Sequence, residues 1–223
     1  AFVPILGEYR EQGSQAAVRS LISRVSGTLG LTLLLFTLVI VLAAPAMAAI
    51  FAPKWFFNDP LKFTATAEML RITFPYLMFI SMTGVAGGIL NSYDRFAVPA
   101  FTPILLNTSL IAAALIAAPM FEQPAFALAW GVLIAGILQF IFQIPFLLRI
   151  HMLPAPKVDW HHPGVRKILK LMGPAIFGVS VSQINLLLDT MLATFLPTGS
   201  VSWLYYSDRL SELPLGVFGV AIA

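Results

Sequence analysis

An all-α, polytopic transmembrane bundle is the fold class this sequence predicts, on three observations. The 223 residues are 59% apolar and only 10% charged, with a mean hydropathy of +0.89, whereas about a quarter of a soluble domain's residues are charged. The charges are clumped, leaving residues 25–53, 72–93, 96–121, 123–148 and 171–188 free of Asp, Glu, Lys and Arg. Each of these stretches approaches or exceeds the roughly 20 apolar residues that carry a helix across a bilayer.

Taken in order, residues 1–24 read as the foot of a preceding helix (Phe2 to Leu6) and an amphipathic connection at the membrane surface bearing Glu8, Arg10, Glu11, Arg19 and Arg24. The remainder, 25–223, reads as the transmembrane region. A first span is expected over about 26–50, kinked near Pro45 because proline removes a backbone donor and crowds the preceding turn. Trp55, Phe56 and Phe57 in the next loop suit the headgroup level. The second span is expected over about 72–90, where Gly84 and Gly88 at i, i+4 suit close helix packing. Asp94–Arg95 reads as an orienting and capping turn, and Pro103 stands where the third span, about 104–119, can begin without losing a hydrogen bond. A tight hairpin, FEQPAF, leads to the fourth span, about 126–148. The longest loop holds His151, His161 and His162, and a solvated loop fits them better than a metal site, since no Cys or HExxH spacing accompanies them. A fifth span is expected over about 171–195 and a sixth, truncated, over 202–223. Both ends of the sequence fall in apolar runs with no signal peptide at the start, so a longer parent chain is expected.

Composition excludes several chemistries. Without cysteine there is no disulfide framework, thiolate metal site or Cys nucleophile. The formal charge of +3 does not point to nucleic acid, because the basic residues sit in short loops between apolar spans. Nine of them (Arg10, Arg19, Arg24, Arg95, Arg149, Lys157, Arg166, Lys167 and Lys170) fall on one side of the predicted membrane, against Lys54, Lys62 and Arg71 on the other. The positive-inside rule therefore places residues 1–24 and the 149–170 loop in the cytoplasm. The string GPAIFG at 173–178 lacks the Lys-Ser/Thr of a phosphate loop, so no nucleotide partner follows.

Ionisable groups inside spans are costly and usually face a bundle interior or a water-filled cavity. The sixth span holds Asp208, Arg209 and Glu212. At 100° per residue Tyr205, Arg209, Glu212 and Gly216 share a face, with Tyr206 at its edge. Arginine's permanently charged planar fork suits phosphate or carboxylate, so this face is a candidate site for an anionic ligand. An internal Arg209–Glu212 pair at i, i+3 is the plainer reading. In the fifth span Gly178, Ser182, Asn185 and Asp189 form one polar stripe. These oxygens suit a Na⁺ site with Asp189 as ligand, or proton carriage by Asp189; interhelical hydrogen bonding is the competing role for Asp189 and the favoured one for Ser182 and Asn185.

The strings FPYLMFISMTGVAGGILNSYDRFAVPAFTPILLN, LMGPAIFGVSVSQINLLLDTMLATFLPTGS and VSWLYYSDRL resemble the MurJ (MviN) family of lipid II flippases, in the superfamily of multidrug, oligosaccharidyl-lipid and polysaccharide exporters. The resemblance covers essentially the whole chain. It implies a fourteen-helix transporter of the bacterial inner membrane, with this chain supplying about helices three to eight. It implies that Arg209 lines a central cavity and engages the lipid II diphosphate, and that Asp189 occupies a position some members use for Na⁺. The implied activity is flipping of lipid II by alternating access, without enzymatic chemistry or a bound cofactor, driven by an ion gradient or the membrane potential. Rivals are a flippase for another undecaprenyl-diphosphate-linked oligosaccharide and a structural membrane subunit. A multidrug exporter fits less well, because cationic drugs favour acidic cavities, and a polyprenyl-phosphate enzyme would need paired acids where Asp59 and Asp159 stand alone.

Overall fold

The computed structural model describes residues 2–197 and 199–214, excluding the side chains of Gln12, Ser182, Leu213 and Pro214. The described residues are almost entirely helical: α1 (Phe2–Gln12), α2 (Gln15–Leu42), α3 (Ala44–Phe51), α4 (Pro53–Asn58), α5 (Pro60–Thr73), α6 (Tyr76–Ser92), α7 (Ala97–Ala112), α8 (Pro124–Arg149), α9 (Pro163–Thr194) and α10 (Ser200–Pro214). Five helical stretches among them are long and apolar enough to cross a membrane: Gln15–Leu42, Pro60–Ser92, Ala97–Met120, Pro124–Arg149 and Pro163–Thr194. The chain divides into one unit of residues 1–44 and 68–176 and a second of residues 45–67 and 177–223.

Proline positions reshape the expected spans. Instead of a kink at Pro45 there is a break: α2 ends at Leu42 and α3 restarts at Ala44, placing Pro45 in a first turn, where its missing N–H costs nothing. α5 and α6 form one 33-residue stretch interrupted at Phe74–Pro75. Pro103 does not start a helix; it lies inside α7, which begins at Ala97. Beyond Ala112 the helix loosens into a π-turn over Ala113–Ala117 and tightens again over Ala118–Met120.

The core of the first unit is gathered toward one end of the bundle. Ile5 and Leu6 of α1, Leu21 and Ile22 of α2, Ile89 and Leu90 of α6, Leu147 of α8 and Ile168 of α9 are all buried in one cluster. The far half of α2 shows Leu38, Val39 and Leu42 at 53%, 59% and 71% exposure, as a lipid-facing surface does.

Small residues let the helices meet. A Cβ at Gly136 on α8 would lie 2.6 Å from the Tyr76 ring, and one at Gly131 would lie 2.7 Å from the Ala113 Cβ. Gly88 packs against Phe2 and Val3 of α1, whereas Gly84 meets nothing within 4 Å, so only one member of the pair read as a packing motif is a close-approach site. A polar seam crosses the apolar interior: Gln139 donates to the Thr102 carbonyl at 3.0 Å, Gln143 donates to Thr102 Oγ1 at 3.2 Å, and Thr102 donates to the Val98 carbonyl.

The exits from α6 and α8 use one device. After α6, Asp94 adopts φ 60°, with Arg95 N–H donating to the Leu90 carbonyl and Asp94 N–H to Asn91. After α8, His151 adopts φ 56°, with Met152 N–H donating to Leu147 and His151 N–H to Leu148. These are Schellman closures, satisfying carbonyls the helix end would leave open.

The 150–162 segment is strapped to α1 and α2. Arg19 Nε donates to the His151 carbonyl at 2.8 Å, and Lys157 N–H donates to the Ser23 carbonyl. The Lys157 backbone crosses directly over Gly27, where a Cβ would collide with it. Asp159, isolated in sequence, organises the end of the strap. Its Oδ1 accepts from the N–H groups of His161 and His162, its Oδ2 pairs with Arg24 at 3.3 Å, and its N–H donates to Thr28 Oγ1.

The second unit is built differently. Asp59 accepts from Lys62 N–H at the start of α5 and pairs with Lys62 Nζ at 2.9 Å; these bonds hold its carboxyl below the usual carboxylate range. Lys54 Nζ sits on the end of α9, donating to the carbonyls of Phe195 (3.2 Å) and Leu196 (3.5 Å).

Candidate functional site

The α10 face has the arrangement its spacing predicts. Arg209 Nη1 meets Glu212 Oε2 at 2.7 Å, one turn on, and its guanidinium carbon lies 5.1 Å from the centre of the Tyr205 ring. Tyr205 and Tyr206 stand edge to face, 6.0 Å apart. The Arg209 and Glu212 side chains are 61% and 64% exposed. Asp208 is also exposed and pairs with no described residue. Gly216 lies outside the described residues. The plainer i, i+3 pair is therefore present, and it leaves much of the guanidinium fork uncovered.

On α9 the described polar members of the predicted stripe stand apart from other side chains. Asn185 and Asp189 are exposed one turn apart, and neither makes a hydrogen bond to a described residue; the Ser182 side chain is not described. Gly178 has nothing within 4 Å of where a Cβ would stand. Interhelical hydrogen bonding through Asn185 is not seen among the described residues. Among the described residues, no hydrogen bond or ion pair joins this stripe to the Arg209 group. Among the described residues no three His, Cys, Asp or Glu side chains come together as a metal cluster.

The three loop histidines are separate in role. His151 provides the left-handed turn after α8. His161 is exposed. His162 accepts from Gly164 N–H through Nδ1 and stands 6.4 Å from the Tyr9 ring. Burial, helped by the neighbouring Arg24 and opposed by Asp159, holds the His162 imidazole below its ordinary pKa.

A cavity of about 610 Å³ opens inside the first unit, lined almost wholly by apolar side chains including Val25, Leu29, Val85, Ile168 and Met172. Gly84 faces it, which accounts for the lack of a packing partner there. No charged side chain is among the described residues that line it.

Sequence reasoning passed over two polar features. Gln139 and Gln143 are 2% and 1% exposed; their four-residue spacing within a charge-free span places both on one helix face and was the available signal. Lys54 and Lys62 were counted for orientation only, although both line a polar cavity in the second unit.

Comparison with known proteins adds to this geometry. The family model described as lipid II flippase MurJ matches residues 1–223. The chain belongs to that family. It is 50% identical over 229 residues to the probable lipid II flippase MurJ of Haemophilus influenzae, covering 100% of this chain and 45% of that protein. It is 51% identical to the probable lipid II flippase MurJ of Vibrio cholerae, covering 100% of this chain and 44% of the relative. The lipid II flippase MurJ of Burkholderia cenocepacia is 41% identical, again with full coverage of this chain and 44% of its own length. The chain thus spans a little under half the length of the MurJ relatives it matches. Family membership and the five apolar helices make it a multi-pass membrane protein.

Proposed function

We propose that the protein is a flippase that moves lipid II across the bacterial inner membrane, from the cytoplasmic to the periplasmic face, by alternating access. The observation that carries this reading is the α10 face: a permanently charged Arg209, set between Tyr205 and Glu212, stands uncovered in a chain otherwise built to face lipid. An ionisable group in that position calls for a water-filled cavity or an anionic ligand.

The polar head of a lipid-linked precursor cannot cross hydrocarbon unaided, because each polar group would lose its partners there. A guanidinium offers a diphosphate paired N–H donors in a planar fork. In this reading the diphosphate competes with Glu212 for that fork, Asp208 and the tyrosines line the path, and the polyprenyl tail stays in lipid. The protein makes and breaks no covalent bond, so it is a translocator rather than an enzyme. The Asn185–Asp189 stripe, with Ser182 on the same face, is the candidate coupling site for Na⁺ or H⁺. One charge crossing 100 mV supplies about 2.3 kcal/mol. The excess of Lys and Arg on one side supports a cytoplasmic location for residues 1–24 and the 149–170 loop.

The test uses the full-length protein in cells depleted of their own lipid II flippase, with Arg209→Ala and wild type matched for membrane abundance. Wild type is expected to restore lipid II at the outer face and Arg209→Ala to fail. Rescue by both would remove Arg209 from the path. Rescue by neither would favour another undecaprenyl-diphosphate-linked sugar as substrate.

A further inference from the structure

We propose that the cavity formed by α4, the start of α5 and the α9–α10 turn is a binding site for the phosphate of an anionic phospholipid from the surrounding bilayer. The cavity has a volume of about 490 Å³, and Lys54, Trp55, Asn58, Asp59, Lys62 and Ser200 contribute to its walls. It lies wholly within the second unit.

Three features define the occupant. The first is charge. The walls carry two ammonium groups and one carboxylate, and the carboxylate is already engaged: Asp59 accepts from Lys62 N–H through Oδ1 and pairs with Lys62 Nζ through Oδ2. Lys54 spends two donors on the Phe195 and Leu196 carbonyls and keeps a third. The cavity is left with one net positive charge, matching the single negative charge of a phosphodiester. Lysine binds phosphate as a point charge.

The second feature is hydrogen bonding. Ser200 and Val201, in the first turn of α10, line the cavity, and the first N–H groups of a helix lack intrahelical acceptors. Ser200 N–H is taken by the Pro197 carbonyl and Trp203 N–H by the Gly199 carbonyl, and Ser200, Val201 and Ser202 of that turn stand at the cavity wall.

The third is depth. The cavity belongs to the same short segment as an exposed apolar edge in which Phe56 is 50%, Phe57 76% and Leu61 84% exposed. Exposed aromatics beside a half-buried Trp55 are how a chain sits at headgroup level. Both loops that build the cavity also leave odd-numbered spans in the predicted order, so both reach the same membrane face. A soluble anion would need only the charges; the apolar rim suits a ligand that arrives along the membrane.

This site is separate from the α10 face assigned above to the transported substrate, and its test does not depend on transport. The full-length protein would be reconstituted in nanodiscs of phosphatidylcholine with 20 mole percent phosphatidylglycerol (~20%, an ordinary anionic fraction for a charged leaflet). Bound lipid would then be measured by native mass spectrometry for wild type, Lys62→Gln, Lys54→Gln with Lys62→Gln, and Lys54→Arg. Wild type should retain phosphatidylglycerol in preference to phosphatidylcholine. Each lysine neutralised should lower that preference by about fivefold, while Lys54→Arg keeps it. Preference unchanged in the double variant, or lost equally in Lys54→Arg, would overturn the proposal. Displacement of phosphatidylglycerol by undecaprenyl diphosphate at equal mole fraction would also overturn it, because the site would then belong to the substrate path.

Discussion

The first unit encloses its polar groups, whereas the second displays them. In the first, Gln139, Gln143 and Thr102 hydrogen-bond inside an apolar interior, Asp159 has partners at both carboxylate oxygens, and glycines stand where a methyl group would strike a neighbour. In the second, Asn185, Asp189, Tyr205 and Arg209 are exposed on helices that also show much apolar surface. A membrane chain gains nothing by presenting charge to lipid, and the exposed set is the one to which the proposed function assigns the substrate and the coupling ion. The buried set lies between packed helices, where Gln139 and Gln143 donate to Thr102 while their Oε1 atoms accept from no described residue.

The strongest way to break this contrast is to overfill a glycine contact. Gly136→Val on α8 would drive side-chain atoms into the Tyr76 ring and should cost about 1–3 kcal/mol, read as a lower Tm in detergent and reduced membrane abundance. The matching change in the second unit, Gly178→Ala, meets open space and should leave Tm unchanged or raise it slightly, since alanine is the better helix former. Equal losses from both would erase the distinction.

Next in size is the strap. Asp159→Ala removes a cap and an ion pair together and should cost about 1–2 kcal/mol. Asp159→Asn keeps an oxygen for the His161 and His162 N–H groups and should recover most of that. If the two variants melt alike, the cap contributes little and the Arg24 pair carries the effect.

A smaller effect should appear with pH. The folded His162 binds its proton less readily than the unfolded chain, whose imidazole titrates near 6.5. Stability from this group is therefore fully present above pH 6.5 and is lost as pH falls below it through the folded value. His162→Gln should flatten the Tm profile in that range; an unchanged profile would show that other groups set the acid response.

The smallest expected change in stability is at the proposed site itself. Because the Arg209–Glu212 pair is solvent-exposed, Arg209→Ala should leave Tm unaltered by differential scanning fluorimetry while abolishing translocation. A large fall in Tm would make the pair structural and weaken the comparison at its most informative point.

Much of the candidate site was legible before any coordinates. Tyr205, Arg209 and Glu212 share a face because helical periodicity is a local property, and Asn185 and Asp189 share one for the same reason. The strap was not legible. Asp159 and Arg24 are 135 positions apart, and Asp159 draws together His161, His162, Thr28 and Arg24 only once the 150–162 segment folds back across Gly27. Pro103 misled because an isolated proline reads as a helix start, yet α7 accommodates it while Gln139 donates to the neighbouring Thr102 carbonyl.

The sequence by itself determined that this is a multi-pass helical membrane protein and which faces of α9 and α10 are polar, because span length and helix periodicity depend only on neighbouring residues and on the bilayer's thickness. The tertiary structure decided which polar groups are enclosed and which are left open. Gln143 and Arg209 are both polar interruptions of apolar helices, and only the helices packed around each decide that one is buried and donates to Thr102 within the bundle while the other is exposed beside Glu212.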